Sequence, residues 1–199
     1  MISDMKRNLW TAALALTALA AATPATAQRC ESVSDLAKAR PMFSDYAVKE
    51  ESIARPAPVV LSSSEARRFR SALREAAKAG PNFAGHYTIA GWGCGTSCLD
   101  WGIVDARTGK VTFDAKLRML ETMSDDWARY DALTKTYAAS GANKEGFDLL
   151  LFRRDSSLLI MLGAPGEDEK RDGVTYLHWT GTRFEQVGFI EAFAICRPD

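Results

Sequence analysis

The sequence predicts an α+β domain, mainly an antiparallel sheet of hairpins with two helices. Three observations lead there. Short alternating or continuous apolar runs follow one another through Gly-rich turns, over 85–113 and again over 147–190. Two amphipathic stretches of helical period lie outside those runs. Strands and helices are grouped and do not alternate strictly, which favours α+β over a parallel α/β sheet.

Taken in order, the first 27 residues have the layout of a secretory signal. Lys6 and Arg7 supply the positive start, Leu9 to Ala22 is an apolar run without charge, and Ala25-Thr26-Ala27 places small residues where a signal peptidase cuts. That run is shorter than the roughly 20 apolar residues of a membrane span. Arg29 before Cys30 does not suit lipid attachment. The expected division is therefore a signal peptide at 1–27 and a single exported domain at 28–199, periplasmic or secreted, with no membrane span after cleavage. Removing residues 1–27 from the 199 leaves 172, enough for one domain with a sizeable core. Removing Lys6, Arg7 and Asp4 with them leaves 23 basic and 24 acidic residues, a net charge of −1. No global field favours nucleic acid.

All four cysteines, Cys30, Cys94, Cys98 and Cys196, belong to the mature part. An even count in an oxidising compartment reads as two disulfides with three possible pairings. The favoured one joins Cys94 to Cys98 and Cys30 to Cys196. The second bridge would tie the chain ends together, worth roughly 5 kcal/mol in the chain-entropy model.

Residues 28 to 61 are expected to be irregular, with Pro41, Pro56 and Pro58 as breakers and a short strand at Tyr46 to Lys49. Ser62 and Glu65 have capping-box spacing and open a helix over Ser63 to Ala79, ended by Gly80 and Pro81. Ala66, Phe69, Leu73 and Ala76 form its apolar face. Gly85 to Trp92 and Leu99 to Asp105 read as a hairpin, followed by a turn at 106–109 and a third strand at Lys110 to Phe113. A second helix is expected at Asp125 to Ala139, capped by Ser124 and ended near Gly141, with Trp127, Tyr130, Thr134 and Tyr137 inward. Phe147 to Arg153 and Leu158 to Leu162 are nearly continuous apolar runs, the mark of strands covered on both faces. Val174 to Trp179 and Phe184 to Ile190 complete a last hairpin around Gly181.

Three short motifs stand out: Phe83-Ala84-Gly85-His86-Tyr87, then Trp92-Gly93-Cys94-Gly95-x-x-Cys98, then Val104-Asp105-x-x-Thr108-Gly109-Lys110-Val111. This signature resembles a family of exported bacterial proteins of unassigned function. A weaker likeness continues through Arg153-Arg154-Asp155-Ser156 and Tyr176 to Phe184. The resemblance implies export and a shared fold, and it transfers no catalytic residue.

The residues of the hairpin say more. A turn centred on Thr96 sets Cys94 opposite Cys98, Trp92 opposite Asp100, Ala90 opposite Gly102 and Thr88 opposite Val104, within disulfide reach at the tip. Tyr87, Ile89, Leu99, Trp101 and Ile103 then share a core face, with Gly91 leaving room for the Trp101 indole. His86, Thr88, Ala90, Trp92, the cysteines and Asp100 share the other face. Binding is expected there, with His86, Trp92, Thr96, Ser97 and Asp100 as candidate residues.

Other chemistries are weaker. Cys94 and His86 as a nucleophile and base are separated by roughly 26 Å along one strand. A redox pair usually has two intervening residues and a helix N-terminus, whereas Cys94 and Cys98 have three and a turn. His86 and His178 lack metal-ligand spacing, and Glu167, Asp168, Glu169 and Asp172 lack the order of a calcium loop. No metal or cofactor is expected. Arg67, Arg70, Arg74 and Lys78 form one stripe on the first helix, read as a solvated face before an anion site. No nucleophile elbow, phosphate loop or dinucleotide fingerprint is present in the sequence. The leading expectation is a disulfide-stabilised binding module that presents its hairpin tip to an envelope protein or polymer. The alternative is an envelope hydrolase or thiol-redox enzyme using His86, Asp100 or Cys94. N-terminal sequencing of native protein should find the mature chain starting near Gln28 in the periplasmic or secreted fraction; an intact Met1 in the cytosol would refute export.

Overall fold

The computed structural model describes residues 30, 32, 35, 40–96, 98–121, 127–139, 141–145, 149–165 and 172–192. The expected signal peptide, Ser97, Ser124, residues 166–171 and Cys196 lie outside the described residues.

The fold is α+β, with the strands in two antiparallel sheets and not one. The first sheet contains β1 (Tyr87–Gly95), β2 (Cys98–Asp105), β3 (Val111–Thr112) and β4 (Leu120–Glu121). β1 pairs only with β2, while β3 and β4 pair with the opposite side of β2, so β1 is an edge strand. The second sheet runs in chain order through β5 (Asn143–Glu145), β6 (Leu150–Phe152), β7 (Leu158–Gly163), β8 (Gly173–Trp179) and β9 (Phe184–Glu191).

The expected first helix is two, α1 (Ser64–Arg68) and α2 (Arg70–Ala79), broken at Phe69. The N-cap is Ser63, whose hydroxyl accepts from the Ala66 N–H at 2.9 Å. The proposed box of Ser62 and Glu65 does not form: Glu65 turns away to the Arg118 guanidinium. Gly80 ends the helix at φ +92°, a conformation that costs a residue without a side chain little. The later helix, α3, spans Trp127–Ala139 and buries Tyr130, Leu133, Thr134 and Tyr137. Tyr46 to Lys49 is no strand: a 3-10 turn occupies Phe43–Tyr46, and Ala47 makes a single bridge to Ser156.

The layers stack as α1/α2, first sheet, second sheet, α3. Between the sheets, Phe83 packs edge-on against Phe152 and Tyr87 edge-on against Trp179. On the far face of the second sheet, the Tyr137 and Tyr176 hydroxyls meet at 3.2 Å. β6 and β7 therefore lie between apolar layers, and every residue of both is buried. This is why their sequences are apolar without alternation.

The first sheet is also covered on both faces. Ile89, Trp101 and Ile103 enter the large core shared with the second sheet. Ala90 and Val104, on the opposite face, are buried with Ala66, Leu73 and Ala77 from the helices. Trp92 belongs to that second cluster, its ring stacked on Phe69 at 4.4 Å and edge-on to Phe113 at 6.0 Å. An amphipathic helix has to bury its apolar stripe, and the nearest sheet face in the chain takes it.

Two truncations measure the two cores. Trp101→Ala, at a site 0% exposed, should lower the unfolding free energy by about 3–5 kcal/mol. Trp92→Ala should cost about 2 kcal/mol, because its stack on Phe69 is only partly buried. Urea melts separate these values from the roughly 0.5 kcal/mol of an open surface site.

Candidate functional site

Every pairing expected from Thr88 to Trp92 is observed: Thr88 with Val104, Ala90 with Gly102 and Trp92 with Asp100. The tip departs from the expectation. Gly95, not Cys94, pairs with Cys98, and the register shifts between Gly93 and Gly95. A residue inserted in one strand bulges it and increases its twist. Cys94 is nonetheless bonded to Cys98, with Cα atoms 5.4 Å apart. Gly93, Cys94, Gly95 and Thr96 are exposed, whereas Cys98 is buried. Cys30 is disulfide-bonded as well; its expected partner Cys196 lies outside the described residues.

The expected open face is not open. Thr88, Ala90 and Asp100 lie beneath α1 and α2 and are 1%, 1% and 3% exposed. Asp100 is a latch: Oδ1 accepts from the Met119 N–H at 2.7 Å, and Oδ2 lies 3.4 Å from Arg118 Nε. Arg118 also reaches Glu65 on α1. Asp100 thus holds Met119, a non-glycine residue at φ +49°, and links the sheet to the helix. Among the sequence-derived candidates, Thr96 stays exposed at the apex, Ser97 lies outside the described residues, and Trp92 and Asp100 are engaged in packing.

His86 sits elsewhere, at the foot of β1. Its side chain is 12% exposed, with Nδ1 3.0 Å from Glu51 Oε1 and Nε2 3.7 Å from Asp105 Oδ1. The ring lies against Tyr87 at 4.1 Å. Arg107 donates to both Glu51 oxygens, its Nε at 2.7 Å. Asp105 accepts from the Arg107 N–H and the Thr108 hydroxyl, each at 2.8 Å. Both imidazole nitrogens face carboxylates, and both carboxylates have other donors. The Arg107 guanidinium, more than the nearby His86, holds the Glu51 carboxyl below its ordinary value. Glu51 and Arg107 carry no signal in the sequence, one lying in an irregular segment and the other in a turn.

The residues before His86 form a joint. Gly85 is at φ +84°, and a Cβ there would lie 2.7 Å from the Lys49 carbonyl oxygen, so only glycine fits. Its N–H donates to the Arg154 carbonyl at 2.6 Å, while the Ala84 N–H points at the Arg153 and Ser156 carbonyls. The Val48 N–H donates to Asp155 at 2.8 Å, and Glu51 to Gly85 at 3.2 Å. Two motif segments far apart in sequence, Phe83 to Tyr87 and Arg153 to Ser156, therefore bind each other through main chain.

Arg67, Arg70, Arg74 and Lys78 are all exposed, with Arg67 donating to the Leu61 and Ser62 carbonyls. His178 contacts Tyr46, at 5.0 Å between rings. Among the described residues no cluster of His, Cys, Asp and Glu has the form of a metal site, and no helix is long and apolar enough to cross a membrane. No family model, curated protein or solved structure matches this chain.

The depressed Glu51 carboxyl predicts an acid-dependent contribution to stability. A carboxyl whose folded value is depressed contributes stability above its unfolded value, and that contribution is lost as pH falls through the folded value. Wild-type protein should therefore exceed Glu51→Gln in urea midpoint at neutral pH, and the gap should close as pH drops below the ordinary value of 4.5. Paired urea melts across that range check the sign; a gap independent of pH would remove Glu51 from the acid response.

Proposed function

We propose that the protein is an exported, disulfide-stabilised binding module that presents the Cys94–Cys98 hairpin tip to an envelope protein or polymer. The observation that carries this reading is the exposure of Gly93 through Thr96 at the end of a hairpin whose lower half is buried on both faces. A tip held by a disulfide and rooted in two cores meets a partner with little ordering left to do. The signal-like N-terminus and two bonded cysteine sites fit an oxidising compartment. The likeness to the exported bacterial family belongs to this proposal, and the joint between Phe83–Tyr87 and Arg153–Ser156 gives its signature a structural reason.

The enzyme reading has less support. His86, Asp100 and Cys94 serve three separate networks: the Glu51–Asp105 carboxylates, the Met119–Arg118 latch and the tip disulfide. Cys94 lies in a strand, bonded to Cys98, and not at the helix N-terminus where a redox-active thiolate commonly sits.

The test is capture from an envelope extract by the mature domain, beside Cys94→Ser/Cys98→Ser and Thr96→Ala variants. Loss of so short a loop should cost about 2 kcal/mol of stability, and Thr96→Ala less than about 0.5. A specific partner retained by wild type and lost by both variants, each still folded, is the expected result. Equal capture by all three would place the binding surface away from the tip.

A further inference from the structure

The outer edge of β1 is paired for only part of its length. Near its start, the Pro81–Phe83 segment runs beside it. The Ile89 N–H donates to Asn82 Oδ1 at 2.9 Å, and the Asn82 amide reaches back to the Ile89 carbonyl at 3.5 Å. The Asn82 and Phe83 N–H groups both donate to the Tyr87 carbonyl at 2.9 Å. The Asn82 side chain thus acts as a one-residue strand. Because Ile89 turns its main-chain groups away from β2, the period of two turns those of Gly91 and Gly93 the same way. Among the described residues nothing pairs with them on that side.

Open edges are usually guarded by charge or proline. The segment Gly91-Trp92-Gly93-Cys94-Gly95-Thr96 contains neither. Its glycines leave the main chain bare, and the stack of Trp92 on Phe69 and the tip disulfide hold it in place. At Gly91 the Trp101 indole already fills the core side, where a Cβ would come within 2.8 Å. At Gly93 a Cβ would meet nothing within 4 Å. Leu99, directly opposite Gly93, is only half-buried. An incoming strand would therefore find main-chain partners at Gly91 and Gly93, and an apolar place beside Leu99 for one large side chain.

We propose that β1 binds its partner by strand addition, taking an extended polypeptide segment along Gly91–Gly95 with an apolar side chain seated over Gly93 against Leu99. The inference rests on the tip being a binding element, and it narrows the partner to a polypeptide. A second copy of this chain is a poorer occupant. The open stretch is roughly 16 Å long, and edge pairing over that length alone falls short of the roughly 1,000 Å² of a stable interface.

The probe is the blocked peptide acetyl-KTVTFTVTK-amide, added to the full mature domain, with amide exchange and chemical shifts read by NMR. Peptide should slow exchange at Gly91 and Gly93 and leave Ala90 and Trp92, already bonded to β2, unchanged. Gly93→Pro removes an outward N–H and no ladder bond, so it should stay folded and bind at least about tenfold more weakly. Gly93→Ala keeps the N–H and adds only a methyl at the seat, so it should bind more weakly than wild type but clearly more tightly than Gly93→Pro. Equal loss in both variants, no peptide binding, or slowing away from the edge would overturn the proposal. So would an unfolded Gly93→Pro, because that would put the N–H in the ladder, or protection of Gly91 and Gly93 that grows with protein concentration alone. If Gly93→Pro still captures the envelope partner, the tip binds but not by strand addition. If the peptide binds the edge while no tip-dependent partner exists, strand addition stands and the wider reading fails.

Discussion

The contact between the Phe83–Tyr87 segment and the Arg153–Ser156 turn is the constraint on which the other parts of the structure depend. It is made of main-chain hydrogen bonds from Ala84 and Gly85, and such groups cannot be buried unpaired without a cost of about 1–3 kcal/mol each. Gly85 is required by its positive φ and by the Lys49 carbonyl beside it. Once the joint is closed, Phe83 lies between Phe152 and Phe184, and Tyr87 reaches Trp179 and the Gly181 carbonyl. The two sheets are thereby set face to face. His86 is the next residue along, so its carboxylate surroundings follow from the joint: Glu51 is brought in by the main chain of Gly85, and Asp105 by the β1–β2 ladder.

A second fit, local to the first sheet, sets the position of the tip. Gly91 stands opposite Trp101, and the indole occupies the volume a side chain would take. On the other face Trp92 is covered by Phe69, at the break between α1 and α2. The hairpin is thus gripped on both sides up to Trp92, and beyond it no helix or sheet covers Gly93 to Thr96 among the described residues. Exposure at the tip is a consequence of where the two cores end. The same glycines that let the indole in and the bulge form leave the strand edge bare.

Asp105 and its turn show how one motif serves several ends. The Asp105 carboxylate accepts from Arg107 and Thr108, its N–H donates to the Lys110 carbonyl, and Gly109 at φ +73° closes the turn. A Cβ at Gly109 would overlap the Pro58 carbonyl, so the irregular segment before α1 can lie flat on the turn. Val60 and Ala57 then donate to Gly109 and Ala106. The segment is irregular, as its prolines predict, and it is held by main-chain bonds to elements far along the chain.

By itself the sequence determined what depends on neighbours in the chain. The α+β class, the hairpin register from Thr88 to Trp92, the stop at Gly80 and the strands buried on both faces were legible because periodicity, turn glycines and continuous apolar runs are local signals. The closeness of Cys94 and Cys98 was legible for the same reason. Only the tertiary structure decided which sheet face stays open. Thr88, Trp92 and Asp100 read as a mixed face, polar enough for solvent, yet α1 and α2 fold onto it and Asp100 finds Met119 and Arg118 there. Alternation along a strand separates two faces but does not say what each will meet. That is settled by which apolar surfaces are left to pair when the whole chain closes.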